Sequence, residues 1–354
     1  MRIFRLPANK QLTVDERQGV SVIICAKNEA ENLRKNLPVV LSQRYANAAG
    51  KLNYEVIVAN DSSTDDTVKV VEGLGIGDWG LLRCVNSVSG GKKNALRMGT
   101  ECARNEWLVL IDADCVPDSD RWLELMVAPL SNPPALKLRR TMEIVAGYGG
   151  YNEKPGLLNA FIRWETMHTF LQYSTYMLAG LPYMAVGRNM ACTKSILQEA
   201  QQSELWNVLP SGDDDLLVRV AGTAENMAIV CDAAAFTHTE AKATWKEWVK
   251  QKQRHLSTGK YYKGNIKILL GGYGISHALV WLGFAGMIIG KYWNMAVIVM
   301  AVRCIIYWLL WAVTADKLRE RKLILFFPFF DIAWLIYNFA FLPYITWKNK
   351  EQWK

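Results

Sequence analysis

What this chain lacks bounds it first. Its seven cysteines (Cys25, Cys84, Cys102, Cys115, Cys192, Cys231 and Cys304) are odd in number and form no CxxC pair. That excludes a disulfide framework and a cysteine zinc site, and it points to a reducing compartment for the polar half. Histidine is scarce, at 4 residues. No GxGxxG follows the first apolar run, which excludes a dinucleotide fold of that type. Residues 1–20 are polar and hold no apolar stretch of a secretory signal. No recognised nucleic-acid motif accompanies the net charge of +8. A basic membrane-facing surface or an anionic substrate accounts for that charge instead.

What the chain has is distributed unevenly. Its 354 residues are 51% hydrophobic with 14 Trp, yet mean hydropathy is only +0.02 because two materials are averaged. Up to about residue 263 the composition is that of a mixed globular protein; beyond it the chain is overwhelmingly apolar. The length accommodates one large domain or two smaller ones.

The polar half alternates strand and helix patterns. Apolar runs at residues 20–25, 54–59, 81–85 and 108–111 read as strands, and the last, which shows no alternation, reads as one buried on both faces. Helical stretches are expected from about residue 30 to 43 and from the Gly90-Gly91 turn to about 103, with a third opening near Asp65 and Asp66, capped by Ser62, Ser63 or Thr64. Such alternation implies an α/β fold with right-handed crossovers and a mainly parallel sheet. Ligands of open α/β sheets bind just beyond the carboxyl ends of the strands. Four loops arrive there, around Glu29, Asp61, Lys92 and Asp112.

Each loop carries suitable chemistry. Residues 108–117 read LVLIDADCVP, so an apolar strand ends in Asp112 and Asp114, one residue apart. Two such anions repel unless a cation sits between them, and oxygen ligands of this kind suit Mg²⁺ or Mn²⁺ shared with a substrate phosphate. Lys92 or Lys93 can meet phosphate as a point charge. Glu29 and Asp61 can bond a base or ribose, or cap helices. Further on, Gly212-Asp213-Asp214-Asp215 places three acids in a row, and at least one should have a raised pKa suited to a general base. Ser211 with a helix N-terminus is the structural alternative there. His238, in FTHTE, is a candidate third metal ligand.

The ordered series AKNE, NDSSTDD, GGKKNAL and LIDADCVP resembles the nucleotide-sugar half of family two glycosyltransferases with the GT-A fold. Cellulose, chitin and hyaluronan synthases and ceramide glucosyltransferase belong to that group. The likeness continues through Gly187-Arg188-Asn189-Met190-Ala191, the GDDD run and Gln251-Lys252-Gln253-Arg254-His255. It implies donor contacts at Ala26, Asn28, Glu29, Asp61, Lys92 or Lys93 and Asp112, and metal contacts at Asp112 and Asp114. It also implies a general base at Asp214, or at Asp213 in the alternative register, and an acceptor side at Asp215, Gln251, Arg254 and His255. In the family a QxxRW motif lines the acceptor end; here His255 stands where that Trp would be, which argues against processive polymerisation.

Three features concern the membrane. Residues 157–183 are rich in aromatics and read either as an interfacial segment or as a core helix, with His168 and Glu165 as ordinary core residues. Residues 244–264, with Trp245, Trp248 and several lysines, read as a basic amphipathic helix on an anionic surface. Residues 268–290, 293–315 and 323–347 then each reach the roughly 20 residues needed to cross a bilayer. Lys317, Arg319, Arg321 and Lys322 place the loop before the third segment, and with it the catalytic half, in the cytoplasm. Lys348, Lys350 and Lys354 pull the tail to the same side. Either the third segment crosses plainly, or it turns back near Pro328, where Asp331 also interrupts it. Otherwise this half nearly lacks buried polar groups.

The expected organisation is an N-terminal extension at 1–19, a GT-A domain at 20–243, the basic helix at 244–264 and a membrane domain at 265–354. The implied protein sits in the cell inner membrane. It transfers sugar, with inversion and a divalent metal, from a nucleotide sugar (a UDP-sugar is favoured) to a lipid or glycan acceptor. A processive polysaccharide synthase and a non-catalytic membrane scaffold are the alternatives; nucleic acid is not an expected partner.

Overall fold

The computed structural model describes residues 12–74, 80–131, 142–209 and 212–346. Ser211 and the tail lysines Lys348, Lys350 and Lys354 lie outside the described residues. The chain divides into two compact units. One runs to Asn152 and resumes over Gln172–Ala241; the other holds Glu153–Leu171 and the residues from Lys242 onward.

In chain order the first unit contains β1 (Val20–Ala26), α1 (Ala30–Leu41), β2 (Tyr54–Asn60), α2 (Thr67–Leu74), β3 (Leu82–Asn86), α3 (Lys92–Cys102), β4 (Trp107–Leu110), β5 (Val116–Pro117), α4 (Trp122–Ser131), β6 (Ile144–Gly147) and β7 (Gly149–Tyr151). A long helix, α5 (Leu157–Leu178), is shared between the units. There follow β8 (Met190–Thr193), α6 (Lys194–Gln202), α7 (Glu204–Val208), α8 (Asp213–Ala221), β9 (Met227–Val230) and β10 (Thr237–Thr239).

The main sheet has seven strands in the order β3-β2-β1-β4-β8-β6-β9. Pairs β3-β2, β2-β1, β1-β4 and β6-β9 are parallel, while β8 runs antiparallel to both neighbours. The sheet is therefore mainly parallel, with one reversed strand that alternation of strand and helix does not foretell. Every residue of β1, β2 and β4 is buried, as expected of apolar runs covered on both faces. Helix α3 closes on β1 at Gly99, where a Cβ would stand 2.7 Å from Ile23 Cγ2. A smaller sheet, β5-β10-β7, lies beyond the Asp112 loop in sequence and brings His238 beside Val116.

The cap of α2 differs from expectation. The helix opens at Thr67, and Asp65 accepts from its N–H at 3.0 Å and from Ala30 N–H at 3.1 Å. Ser63 and Thr64 are engaged elsewhere: Ser63 Oγ accepts from Asn28 N–H, and Asn28 Oδ1 accepts from Thr64 N–H. The stronger ionised acceptor thus takes the helix ends and ties the first two loops together.

The second unit begins with the first part of α5, then α9 (Trp245–Leu256), α10 (Gly264–Ile289), α11 (Trp293–Lys317) and α12 (Phe327–Thr346). Helices α10 and α11, together with the segment Arg321–Tyr344, are long and apolar enough to cross a membrane. The basic stretch is not one helix: α9 ends at Leu256 and a 3₁₀ helix, Ser257–Tyr261, follows. Pro328 falls in the first turn of α12, where its missing N–H costs nothing, and the helix continues unreversed to Thr346. A hairpin bent at Pro328 is therefore not what the described residues form.

Two further readings are resolved by packing. Most aromatics of α5 are buried, Tyr176 only partly: Trp164 is buried against Trp311, Phe330 and Trp334, and His168 stacks on Trp311 with its Nε2 2.9 Å from Tyr273 Oη. The apolar helices are less free of polar groups than their composition suggests. Arg303 on α11 forks onto Asp331 on α12 at 2.7 and 3.0 Å, and His277 on α10 reaches Asp331 Oδ1 at 3.0 Å. Three scattered polar residues look like interruptions in sequence; helix packing turns them into a paired cluster.

Candidate active site

The site is assembled at the carboxyl ends of β1, β2 and β4 and at the N-termini of α3 and α8. Both helices start from glycines with positive φ, Gly91 at 109° and Gly212 at 83°, conformations that a side chain would strain. The first turn of each helix then delivers its charged residues to one place.

Lys92 is the hub. Its Nζ lies 3.0 Å from Asp112 Oδ1 and 3.6 Å from Asp213 Oδ2. Burial works against its charge, but Asp112 and Asp213 outweigh that and hold its pKa well above the ordinary lysine value. Lys93, the alternative candidate, turns away. It is buried beside α7, donating to Trp206 O at 3.0 Å and Leu209 O at 2.6 Å, and burial lowers its pKa to about 8. Adjacent helical residues point about 100° apart, so only one of the pair can face the carboxylates.

Oxygens of Asp112 and Asp114 and the Sγ of Cys115 lie within 4.8 Å of one another, close enough to share one cation. Hard carboxylate oxygens fit Mg²⁺ or Mn²⁺; the thiol adds only a softer donor. His238 is not in this group. Its Nδ1 is 2.6 Å from Asp118 Oδ1, because β10 pairs with β5 and sets it past the end of the Asp-x-Asp loop.

The nucleoside candidates behave as scaffolding. Asp61 is fully buried; its Oδ1 accepts from Gly91 N–H at 2.7 Å, and its Oδ2 is 3.4 Å from Lys27 Nζ. It thereby holds the turn that presents Lys92. Glu29 stands at the N-cap position of α1, where its carboxylate makes no capping bond to the helix backbone and accepts instead from Asn32 Nδ2 at 2.6 Å. Asn28 adopts a left-handed φ of 56° and bonds Thr64, while Ala26 ends β1 with its carbonyl accepting from Asp61 N–H.

The three aspartates separate into different environments. Asp213 pairs with Lys92. Asp214 Oδ2 accepts from Gly187 N–H at 2.8 Å and its Oδ1 from Asp215 N–H at 2.9 Å. Burial and the neighbouring Asp213 raise the Asp214 pKa above the usual carboxylate value. Asp215 is buried. In the second unit, Gln251, Arg254 and His255 lie together on α9, with Arg254 Nη2 3.3 Å from His255 Nε2.

Sequence reasoning gave no role to two residues of the 187–189 loop. Asn189 is fully buried and locks that loop: its Oδ1 accepts from Trp122 Nε1, and its Nδ2 donates to Tyr148 O and Ala235 O. Arg188 lies over the Tyr151 ring at 4.4 Å. The GRNMA string marked the position but not the chemistry.

Residues 21–176 match the family model described as Glycosyl transferase family 2. The chain carries a family 2 glycosyltransferase domain. The matched span includes Asp61, Lys92, Asp112 and Asp114 and stops before Asp213. Over 112 residues the chain is 35% identical to glycosyltransferase AglE of Haloferax volcanii, covering 32% of this chain and 35% of that protein. It is 28% identical over 121 residues to poly-beta-1,6-N-acetyl-D-glucosamine synthase of Staphylococcus aureus, covering 34% of this chain and 28% of the relative. The chain thus spans about a third of the length of these curated relatives. A longer match, 25% identical over 256 residues, is to the probable glycosyltransferase YdaM of Bacillus subtilis, covering 70% of this chain and 56% of that one. Among solved structures, the mannosyltransferase PcManGT of Pyrobaculum calidifontis, in complex with GDP-Man and Mn²⁺, superposes with a TM-score of 0.58 at 16% identity. That superposition covers 95% of this chain and 92% of the other. The glycosyltransferase domain has the GT-A fold.

Proposed function

We propose that this glycosyltransferase domain moves a sugar from a nucleotide-sugar donor to a hydroxyl of a lipid or lipid-linked glycan, with inversion. The observation that carries the reading is the Lys92 hub, which joins Asp112 on one side to Asp213, and through it the Asp214 environment, on the other. The diphosphate would lie against Lys92 and the Asp112/Asp114 pair, with Ala26, Asn28, Glu29 and Asp61 shaping the nucleoside end. Asp112 and Asp114 would hold a Mg²⁺ or Mn²⁺, which would supply charge neutralisation to the departing diphosphate.

Asp214, raised in pKa and fixed by Gly187 N–H, takes the proton of the acceptor hydroxyl. The acceptor oxygen bonds to the anomeric carbon as the bond to the diphosphate oxygen breaks on the opposite face. One displacement converts an α-linked donor to a β-glycoside. Lys92, kept protonated, stabilises the developing negative charge. The family resemblance assigns acceptor contacts to Asp215 in the first unit and, separately, to Gln251, Arg254 and His255 in the second.

The apolar α10, α11 and α12 support an integral membrane protein, and the cations Lys317, Arg319, Arg321 and Lys322 support a cytoplasmic catalytic side, at the cell inner membrane. The proposed division of the chain is an extension at 1–19, a GT-A domain at 20–243, a basic segment at 244–264 and a membrane domain at 265–354. A UDP-sugar remains the favoured donor. The test is nucleotide release from a panel of nucleotide sugars, with and without Mn²⁺ or Mg²⁺, on detergent-solubilised protein given membrane lipid extract. Metal-dependent turnover of one donor is the expected result; no turnover of any donor, while an active relative works alongside, overturns the reading. The S. aureus relative favours processive synthesis as a second reading, and a ladder of products instead of one added sugar would establish it.

A further inference from the structure

Arg188 is a cation that the proposed chemistry has not yet used. Its backbone is pinned on every side: Gly187 N–H holds Asp214 at 2.8 Å, Thr237 Oγ1 donates to Arg188 O at 3.1 Å, and the Asn189 side chain is locked in the core. Its stem fits because position 149 is glycine, where a Cβ would stand 3.3 Å from Arg188 Cβ. Its guanidinium rests on Tyr151, with Cys115, Asp114 and Asp112 in electrostatic reach. Yet Nη1, shielded from solvent, donates to nothing among the described residues.

A desolvated guanidinium nitrogen with no acceptor is costly, and an acceptor brought to it by a ligand recovers that cost. The ligand must be an acceptor that tolerates the nearby carboxylates while attracted by the guanidinium. Phosphate oxygens meet both conditions, because the planar fork of Arg matches them and Asp112 and Asp114 can be bridged to them by a cation. Lys92 and Arg188 approach the Asp112/Asp114 loop from different elements, the start of α3 and the lead into β8. We propose that Arg188 is a substrate-binding residue whose Nη1 donates to a phosphate oxygen of bound substrate, beside the Asp112/Asp114 pair. This rests on the nucleotide-sugar reading and adds to it a second protein cation, on the Asp214 side of the site.

The test uses the full-length protein in detergent and measures binding by calorimetry. Three probes are used: Mn²⁺ alone, GDP or UDP in saturating Mn²⁺, and a long-chain polyprenyl monophosphate. Arg188→Ala should leave Mn²⁺ binding unchanged or tighter, since a cation has left the neighbourhood of its carboxylates. It should weaken a phosphate probe by at least about tenfold, the scale of one charged hydrogen bond. Loss confined to the nucleoside diphosphate assigns the donor's phosphate; loss confined to the polyprenyl phosphate assigns an acceptor's. Retained Mn²⁺ binding beside a weakened phosphate probe cannot come from a collapsed site, which would weaken every probe together. Uniform weakening, or wild-type affinity for both phosphate probes, overturns the proposal. Arg188→Lys, which keeps the charge but not the fork, should show a smaller loss of the same kind, and it decides the matter if the alanine variant does not fold. Failure of the wild type to bind any nucleoside diphosphate with Mn²⁺ would instead overturn the underlying reading, and this inference with it.

Discussion

Lys92 Nζ sits 3.0 Å from Asp112 Oδ1, so the carboxylate proposed as a metal ligand already carries a monovalent cation. On the proposed reading, lysine and metal would compete for the same charge until a diphosphate arrived to bind both. Replacing Lys92 with Met should tighten Mn²⁺ binding in the absence of nucleotide. A partly exposed pair of this kind contributes about 0.2–1 kcal/mol, hence a gain of up to ~5-fold. Nucleoside diphosphate affinity should move the other way. Calorimetric titration of each ligand separately checks both signs.

Asp214→Asn should reduce sugar transfer by about 10²–10⁴-fold, the usual contribution of a positioned general base. Donor binding should persist, since the proposed diphosphate contacts are Lys92, Asp112 and Asp114. The measurement is turnover beside donor affinity. Unchanged turnover would move the base to Asp213.

The acid limb of turnover should reflect Asp214. Burial and Asp213 both raise its pKa, so its basic form is lost at a higher pH than an ordinary aspartate's as pH falls. Asp213→Asn removes the neighbouring charge and should shift that limb to lower pH. A pH–rate profile of both proteins decides; a shift to higher pH would mean that the limb belongs to another group.

Asn189→Ala should lower the thermal midpoint of the apoprotein. It leaves Trp122 Nε1 and Ala235 O without the amide, at about 1–3 kcal/mol for each group left unsatisfied, while Tyr148 O keeps the Thr237 N–H at 3.2 Å. Differential scanning fluorimetry in detergent gives the shift, and an unchanged midpoint would show that water replaces the amide.

In the apolar helices, Arg303→Leu should destabilise more than the double change of Arg303 and Asp331 to Leu. Breaking a shielded ion pair leaves one charge behind, at about 3–5 kcal/mol, whereas removing both does not. Melting of the two variants compares them; equal losses would mean that His277 alone satisfies Asp331.

Much of this was legible along the chain. The run that became β4 is apolar without alternation, and those of β1 and β2 are apolar but for Ser21 and Glu55, which bond each other; burial on both faces is what such runs favour. Asp112, Asp114 and Lys92 follow directly from such strands or from a glycine turn, so local pattern sufficed to place them at one edge. The reversed strand β8 was not legible, because strand direction depends on which neighbour's edge is free, a non-local matter. Nor was the pairing of Asp331 with Arg303 and His277, residues on three different helices.

By itself the sequence determined where strands end, which charges stand at those ends, and which helices are apolar enough for a bilayer. These follow from hydrophobic period and local turn chemistry, which act over a few residues. Only the tertiary structure decided between adjacent candidates. Lys92 faces Asp112 while Lys93 faces the carbonyls of Trp206 and Leu209. Asp214 meets Gly187 while Asp213 meets Lys92. His238 pairs with Asp118 and stands apart from the Asp112 group. Each of those choices is one of side-chain direction, set by packing between segments far apart in the chain.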